Sequence, residues 1–188
     1  MTGVWARSRR EYALTALFEG FFGAAWFGWG RAKPPAALNA VLAAGSVVAI
    51  LTAIAGGVLS YRNRAASAAM DEQASRRRYG IIVGVEFGLA GLGAVVLGVT
   101  GRAAYIPVWV CAVVGVHFFP LAPVLRDRTL FPLGALMSGA AVAALIVGLT
   151  THVTPSAVTG VAAGWLLTLF ALANLAGATT RGTVAETA

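Results

Sequence analysis

Charge is scarce in this chain, and acid is scarcer than base. Only 11% of its 188 residues are charged, with seven Asp and Glu against fourteen Lys and Arg. A soluble domain usually carries about 25% charged residues. A chain this poor in charge and 59% hydrophobic cannot present a polar surface all round, so lipid must cover part of it. Cysteine is nearly absent as well. The single Cys111, inside an apolar run, excludes an intrachain disulfide, and with only two histidines there is no Cys/His cluster for a metal. A lone cysteine in such a run acts as a small hydrophobe. There is no P-loop or dinucleotide fingerprint, no serine-centred nucleophile motif and no channel-filter sequence. No cofactor and no resident metal are expected, and the joints between apolar runs are too short for a soluble catalytic domain.

What is present is a series of long apolar stretches. A transmembrane helix needs about 20 mostly apolar residues, and six stretches qualify: 12–30, 37–60, 80–99, 103–124, 130–149 and 156–178. The fold class is therefore all-α, a polytopic membrane helix bundle of six transmembrane helices in a single domain, 1–188. Short joints at Arg31–Pro35, Thr100–Arg102 and Thr150–Pro155 close three hairpins. The one long connection, 61–79, is polar and reads as a cytoplasmic loop or a short surface helix.

The net charge of +7 would suit nucleic acid if the cations formed one basic face. They sit instead in short clusters between apolar runs, as membrane flanks do, so no nucleic-acid partner is expected. With the N-terminus inside, the cytoplasmic side holds Arg7, Arg9, Arg10, Arg62, Arg64, Arg76, Arg77, Arg78, Arg126, Arg128 and Arg181, and the outer side only Arg31, Lys33 and Arg102. Eleven against three places both termini in the cytoplasm. Abundant Ala, Gly and Arg with a single Lys fit a GC-rich bacterial genome, and hence a bacterial cytoplasmic (inner) membrane.

The N-terminal stretch has the outline of a signal peptide, three arginines before an apolar run. Glu19 and the many Phe and Trp residues argue against that reading, and so does a repeat. Ser8-Arg9-Arg10-Glu11-Tyr12 is followed by Glu19, and Ser75-Arg76-Arg77-Arg78-Tyr79 by Glu86, at a constant offset of 67. Two spans separate the copies, which would make them a parallel repeat of helical hairpins, as some transporters have. A basic flank with Tyr is common by itself; the matched intramembrane Glu carries the comparison.

Ionisable side chains inside spans are costly and default to functional candidates. Glu19 lies nine residues after Arg10, Glu86 eight after Arg78, His117 nine before Arg126 and Asn174 seven before Arg181. At about 1.5 Å rise per residue all four sit about 10–14 Å in from the cytoplasmic arginines. Brought together, they would make a polar pocket in the inner half of the membrane. Two neighbouring carboxylates cannot both ionise cheaply, and a histidine beside them could exchange the proton. Glu19, Glu86 and His117 are the candidates for acid/base work or a proton relay, with Asn174 and Trp109 as candidate substrate contacts. The plainer alternative is helix–helix hydrogen bonding, worth about 0.6–2 kcal/mol per contact. His152 falls in an outer turn and reads as solvated.

Pro120 and Pro123 are expected to break the end of the fourth span and free carbonyls there. The surrounding stretch, Gly115-Val-His117-Phe-Phe-Pro120-Leu-Ala, resembles one found in small uncharacterised multi-pass bacterial inner-membrane proteins. The resemblance covers about Arg76 to Gly148 and implies the fold class without an activity. Three functions fit the sequence. One is a small proton-coupled or lipophile-handling transporter, whose size would favour a homodimer. The second is a membrane-embedded acid/base enzyme, an isomerase or cyclase, on a lipophilic substrate. The third is a non-catalytic subunit held to a membrane partner by its Gly/Ala faces. The partners common to all three are the lipid bilayer and protons or a small lipophilic ligand.

Overall fold

The computed structural model describes residues 7–32, 34–64 and 72–180, with the side chains of 72–76 left aside. Lys33, Arg181 and residues 65–71 of the predicted loop lie outside the described residues. The described residues form six helices and no strand: α1 (Arg9–Gly30), α2 (Asn39–Arg62), α3 (Glu72–Val99), α4 (Ile106–Leu125), α5 (Leu130–Thr150) and α6 (Pro155–Thr180). Five segments are long and apolar enough to cross a membrane: Ala36–Arg62, Arg77–Val99, Ala103–Leu125, Leu130–Thr150 and Pro155–Thr180. α1 is not among them, because Glu19 and its Tyr, Trp and Gly residues lower its hydropathy.

The helix ends follow local chemistry. α1 starts on a capping box: Ser8 Oγ accepts from the Glu11 N–H (3.2 Å) and Glu11 Oε2 accepts from the Ser8 N–H (2.6 Å). This satisfies two amides that the first turn would otherwise leave open. α6 starts at Pro155, where a missing N–H costs nothing. Two expectations are corrected. α3 begins eight residues earlier than the apolar stretch, since 72–79 is helical and continuous with it, and neither a loop nor a separate short helix. α4 runs through Pro120 and Pro123 to Leu125 and ends only at Arg126, which is left-handed (φ 54°). Each proline forfeits its own N–H bond to the carbonyl four residues back, and the helix carries on past both.

α1, α2 and α6 pack together, α4 pairs with α5, and α6 joins the two groups. α3 rests chiefly on α4. In lipid the packing force between helices is close van der Waals contact, which small residues permit. Phe27 of α1 is fully buried, and Gly45 of α2 and Gly164 of α6 leave room for its ring. Lower on the same seam, a Cβ on Gly56 of α2 would lie 2.7 Å from both the Ala13 carbonyl oxygen and the Leu17 nitrogen of α1. Gly56→Val is therefore expected to force α1 and α2 apart and cost about 1–3 kcal/mol, read as a lower melting temperature in detergent. An unchanged melt would mean the seam is looser than described.

The start of α1, the end of α6 and the α4–α5 turn share one end of the bundle. Arg9 Nε donates to the Ala178 carbonyl there (2.9 Å). At the opposite end Arg31 Nη2 donates to the Leu42 carbonyl (3.3 Å) and to Ser46 Oγ (3.2 Å), joining α1 to α2.

Candidate functional site

Glu19 of α1 is buried, with 6% of its surface exposed. Its Oε2 accepts from Asn174 Nδ2 of α6 (2.8 Å). Its Oε1 is equally buried and has no hydrogen-bond partner among the described residues. An unsatisfied carboxyl oxygen in a buried position is costly.

Behind Glu19 lies a chain of polar groups. Asn174 Nδ2 also donates to the Phe170 carbonyl (3.0 Å), and its Oδ1 accepts from Arg7 Nη1 (3.1 Å). Donors on one side and acceptors on the other fix which way the amide points. Arg7 Nη1 donates to Asp127 Oδ2 at 2.5 Å, and both side chains are buried. Arg7 Nη2 donates to the Glu11 carbonyl (3.1 Å) and to Thr15 Oγ1, and the guanidinium lies over the Tyr12 ring, 4.4 Å from its centroid. Asp127 Oδ1 in turn accepts from the Thr129 N–H (3.0 Å) and Oγ1 (2.6 Å). The left-handed Arg126 and the bond from the Asp127 N–H to the Ala122 carbonyl (2.9 Å) place this carboxylate at the bundle end. The order Asp127–Arg7–Asn174–Glu19 ties the α4–α5 turn, the N-terminal segment, α6 and α1 to one carboxyl group.

Glu86 and His117 form a second polar point, on the α3–α4 seam. His117 Nδ1 faces the Val114 carbonyl (3.3 Å). A carbonyl only accepts, so Nδ1 carries hydrogen and the other ring nitrogen is left to meet Glu86. His117 Nε2 lies 3.2 Å from Glu86 Oε2, with both side chains largely buried. The contact is not aligned as a hydrogen bond. Without a proton on either group, a lone pair would face a carboxylate oxygen, so the contact is favourable only when one of the two carries a proton.

These groups meet at one cavity of about 490 Å³ between α1 on one side and α3 and α4 on the other, and Glu19, Glu86 and His117 all line it. No Lys or Arg does. Aromatic side chains from three helices supply much of the wall, among them Phe18, Trp26, Phe87 and Phe118. A second crevice of about 410 Å³ lies on the other side of the seam, nearly all apolar apart from Glu86 and His117. The Glu86–His117 pair thus borders both spaces.

Of the residues singled out in the sequence, Glu19, Glu86 and His117 border one cavity, and Glu86 and His117 lie 3.2 Å apart. Asn174 does not line the cavity; it holds Glu19 from behind. Trp109 lines the second crevice, where its Nε1–H donates to the Leu89 carbonyl (3.0 Å) and its indole fills the space a Cβ on Gly93 would need. Cys111 is fully buried, its Sγ 3.3 Å from the Met137 carbonyl, and His152 is exposed in its turn. Sequence reasoning missed Arg7 and Asp127. Both sat among basic flank residues, and the only signal was a single acid between Arg126 and Arg128 in a very short turn. Among the described residues no three His, Cys, Asp or Glu side chains gather as a metal site. Comparison with protein-family models, with curated proteins and with solved structures finds no match to this chain.

Proposed function

We propose that this chain is a six-span protein of the bacterial cytoplasmic membrane, with both termini inside, that carries a small lipophilic molecule in exchange for protons. The supporting observation is that three intramembrane ionisable side chains, Glu19, Glu86 and His117, line one largely apolar cavity. Its volume suits a drug-sized ligand, for which pockets run about 300–1,000 Å³. Phe18, Phe22, Trp29 and Phe87 line it while remaining substantially exposed. In a bilayer such exposed aromatic edges face lipid, which gives a lipophile lateral access between α1 and α3. Glu19 receives the ligand, and the Glu86–His117 pair takes up or gives back the proton.

The test uses proteoliposomes under an imposed pH gradient and three fluorescent lipophiles of similar size, one neutral, one cationic and one anionic. At least one should accumulate in wild-type vesicles and not in Glu19→Gln or Glu86→Gln vesicles. No gradient-driven accumulation of any of them would contradict transport. The contact between Glu86 and His117 also suits an acid/base enzyme, in which one group donates a proton and the other accepts one. Turnover of a lipophilic substrate in detergent, where no gradient exists, would favour that second reading.

A further inference from the structure

Resting on the cavity reading above, we infer that the ligand is a lipophilic organic cation, a protonated or quaternary amine or its equivalent, seated between Glu19 and the aromatic wall. Three independent features of the site select this chemistry.

The first is charge. Among the described residues the cavity is lined by two carboxyl groups and one histidine, with no Lys or Arg. The nearest cation of the polar chain, Arg7, stands behind Asn174 and is engaged by Asp127. Arg7 is thus already paired with an acid of its own, outside the cavity lining. An anionic ligand would find no positive partner along the wall and two carboxyl groups against it.

The second is valence. Oε2 of Glu19 is held by Asn174, and Oε1 is buried with no hydrogen-bond partner among the described residues, so the carboxyl has one oxygen still to be satisfied. A neutral hydrogen-bond donor could satisfy that oxygen, but only a cation also satisfies the charge of the ionised form. A bare metal ion needs several oxygen or nitrogen ligands at once, and no such group of side chains gathers among the described residues.

The third is the wall itself. Phe18, Phe22, Trp26, Trp29, Phe87 and Phe118 line the same space as Glu19. Trp26 and Trp29 stand edge to face with ring centroids 5.0 Å apart. Aromatic faces attract cations through the negative face of the ring, most strongly when water is excluded, and clusters of them recognise quaternary ammonium groups. Aliphatic side chains of similar volume would fill the wall equally well for a neutral lipophile.

The experiment compares two probes of nearly one shape and opposite charge, tetraphenylphosphonium and tetraphenylborate. Each is titrated into the purified full-length protein in detergent, following quenching of tryptophan fluorescence, with an empty-micelle titration subtracted. Wild type should bind the phosphonium saturably and the borate about tenfold more weakly or not at all. Glu19→Gln should weaken phosphonium binding by about tenfold or more, and Glu19→Asp should restore most of it. Phe18→Leu, which leaves every charge in place, should weaken the phosphonium by about threefold or more. Borate binding as tight as phosphonium binding, or phosphonium binding indifferent to Glu19→Gln, would overturn the cation assignment and leave the cavity as a site for neutral or anionic lipophiles. Saturable binding of neither probe would overturn both the assignment and the cavity reading on which it rests. If Glu19→Gln does not fold, the two-probe comparison on wild type and Phe18→Leu decides alone.

Discussion

Asp127→Ala is expected to destabilise the folded protein by about 3–5 kcal/mol. Exposed ion pairs contribute little, about 0–1 kcal/mol, but this one is different. The Arg7 and Asp127 side chains are 5% and 3% exposed. Removing the carboxylate takes away the short ion-pair partner of a buried guanidinium that also contacts neutral acceptors, among them Asn174 Oδ1, the Glu11 carbonyl and Thr15 Oγ1. It also releases the two bonds that Thr129 donates to Asp127 at the start of α5. Replacing both members, Arg7→Met with Asp127→Leu, should recover most of the loss, because neither charge then has to be buried. Thermal unfolding in detergent measures all three. A loss below about 1 kcal/mol for Asp127→Ala would mean the pair is solvated.

Gradient-driven accumulation should fall to the level of protein-free vesicles in Glu86→Gln, while the protein stays folded. The two outcomes separate because glutamine keeps the shape and loses the chemistry. Its amide can donate a hydrogen bond to His117 Nε2, 3.2 Å from Glu86 Oε2 in the wild type, so packing on the α3–α4 seam is retained. It cannot take up or release a proton, so the shared proton of the pair no longer moves. The melting temperature should change little, within the effect of about 1 kcal/mol expected of one hydrogen bond. Flux at the wild-type rate in a well-folded Glu86→Gln protein would remove Glu86 from the mechanism. Loss of both flux and fold would assign it a structural role.

How far these residues could be read in advance depended on which force placed them. The apolar stretches anticipated every helix, since hydropathy and helix length are properties of the local chain. The start of α3 was missed because Glu, Gln, Ala and Arg form helix readily without being apolar, and hydropathy is blind to them. Pro120 and Pro123 were misjudged because each proline forfeits only one backbone hydrogen bond, and the helix carries on past that loss to Leu125. Counting residues in from the arginines put Glu19, Glu86 and His117 at one depth, and depth alone left open which helix faces meet. The structure supplies that: α1 and α3 stand as opposite walls with α4 at the back.

Asn174 shows the other limit. Its depth was legible, but its amide points to Glu19 and Arg7 and not into the cavity, and that follows from the α1–α6 packing through Gly23, Gly30 and Gly160. Arg7 was read as one more cytoplasmic flank residue. Nothing local distinguishes it from Arg9 or Arg10; its burial is decided by Asp127, 120 residues away in sequence. A lone acid in a short, basic joint is the signal to follow in chains of this kind.

The central claim is that Glu19 and Glu86 belong to one ligand cavity. Its most direct test is native mass spectrometry of the protein extracted in mild detergent, with wild type beside Glu19→Gln and Glu86→Gln. A small molecule of one mass retained by the wild type and released by both substitutions is the predicted result, and that mass would identify the ligand class. The contradicting result is three well-folded proteins that carry no adduct, or that all retain it equally.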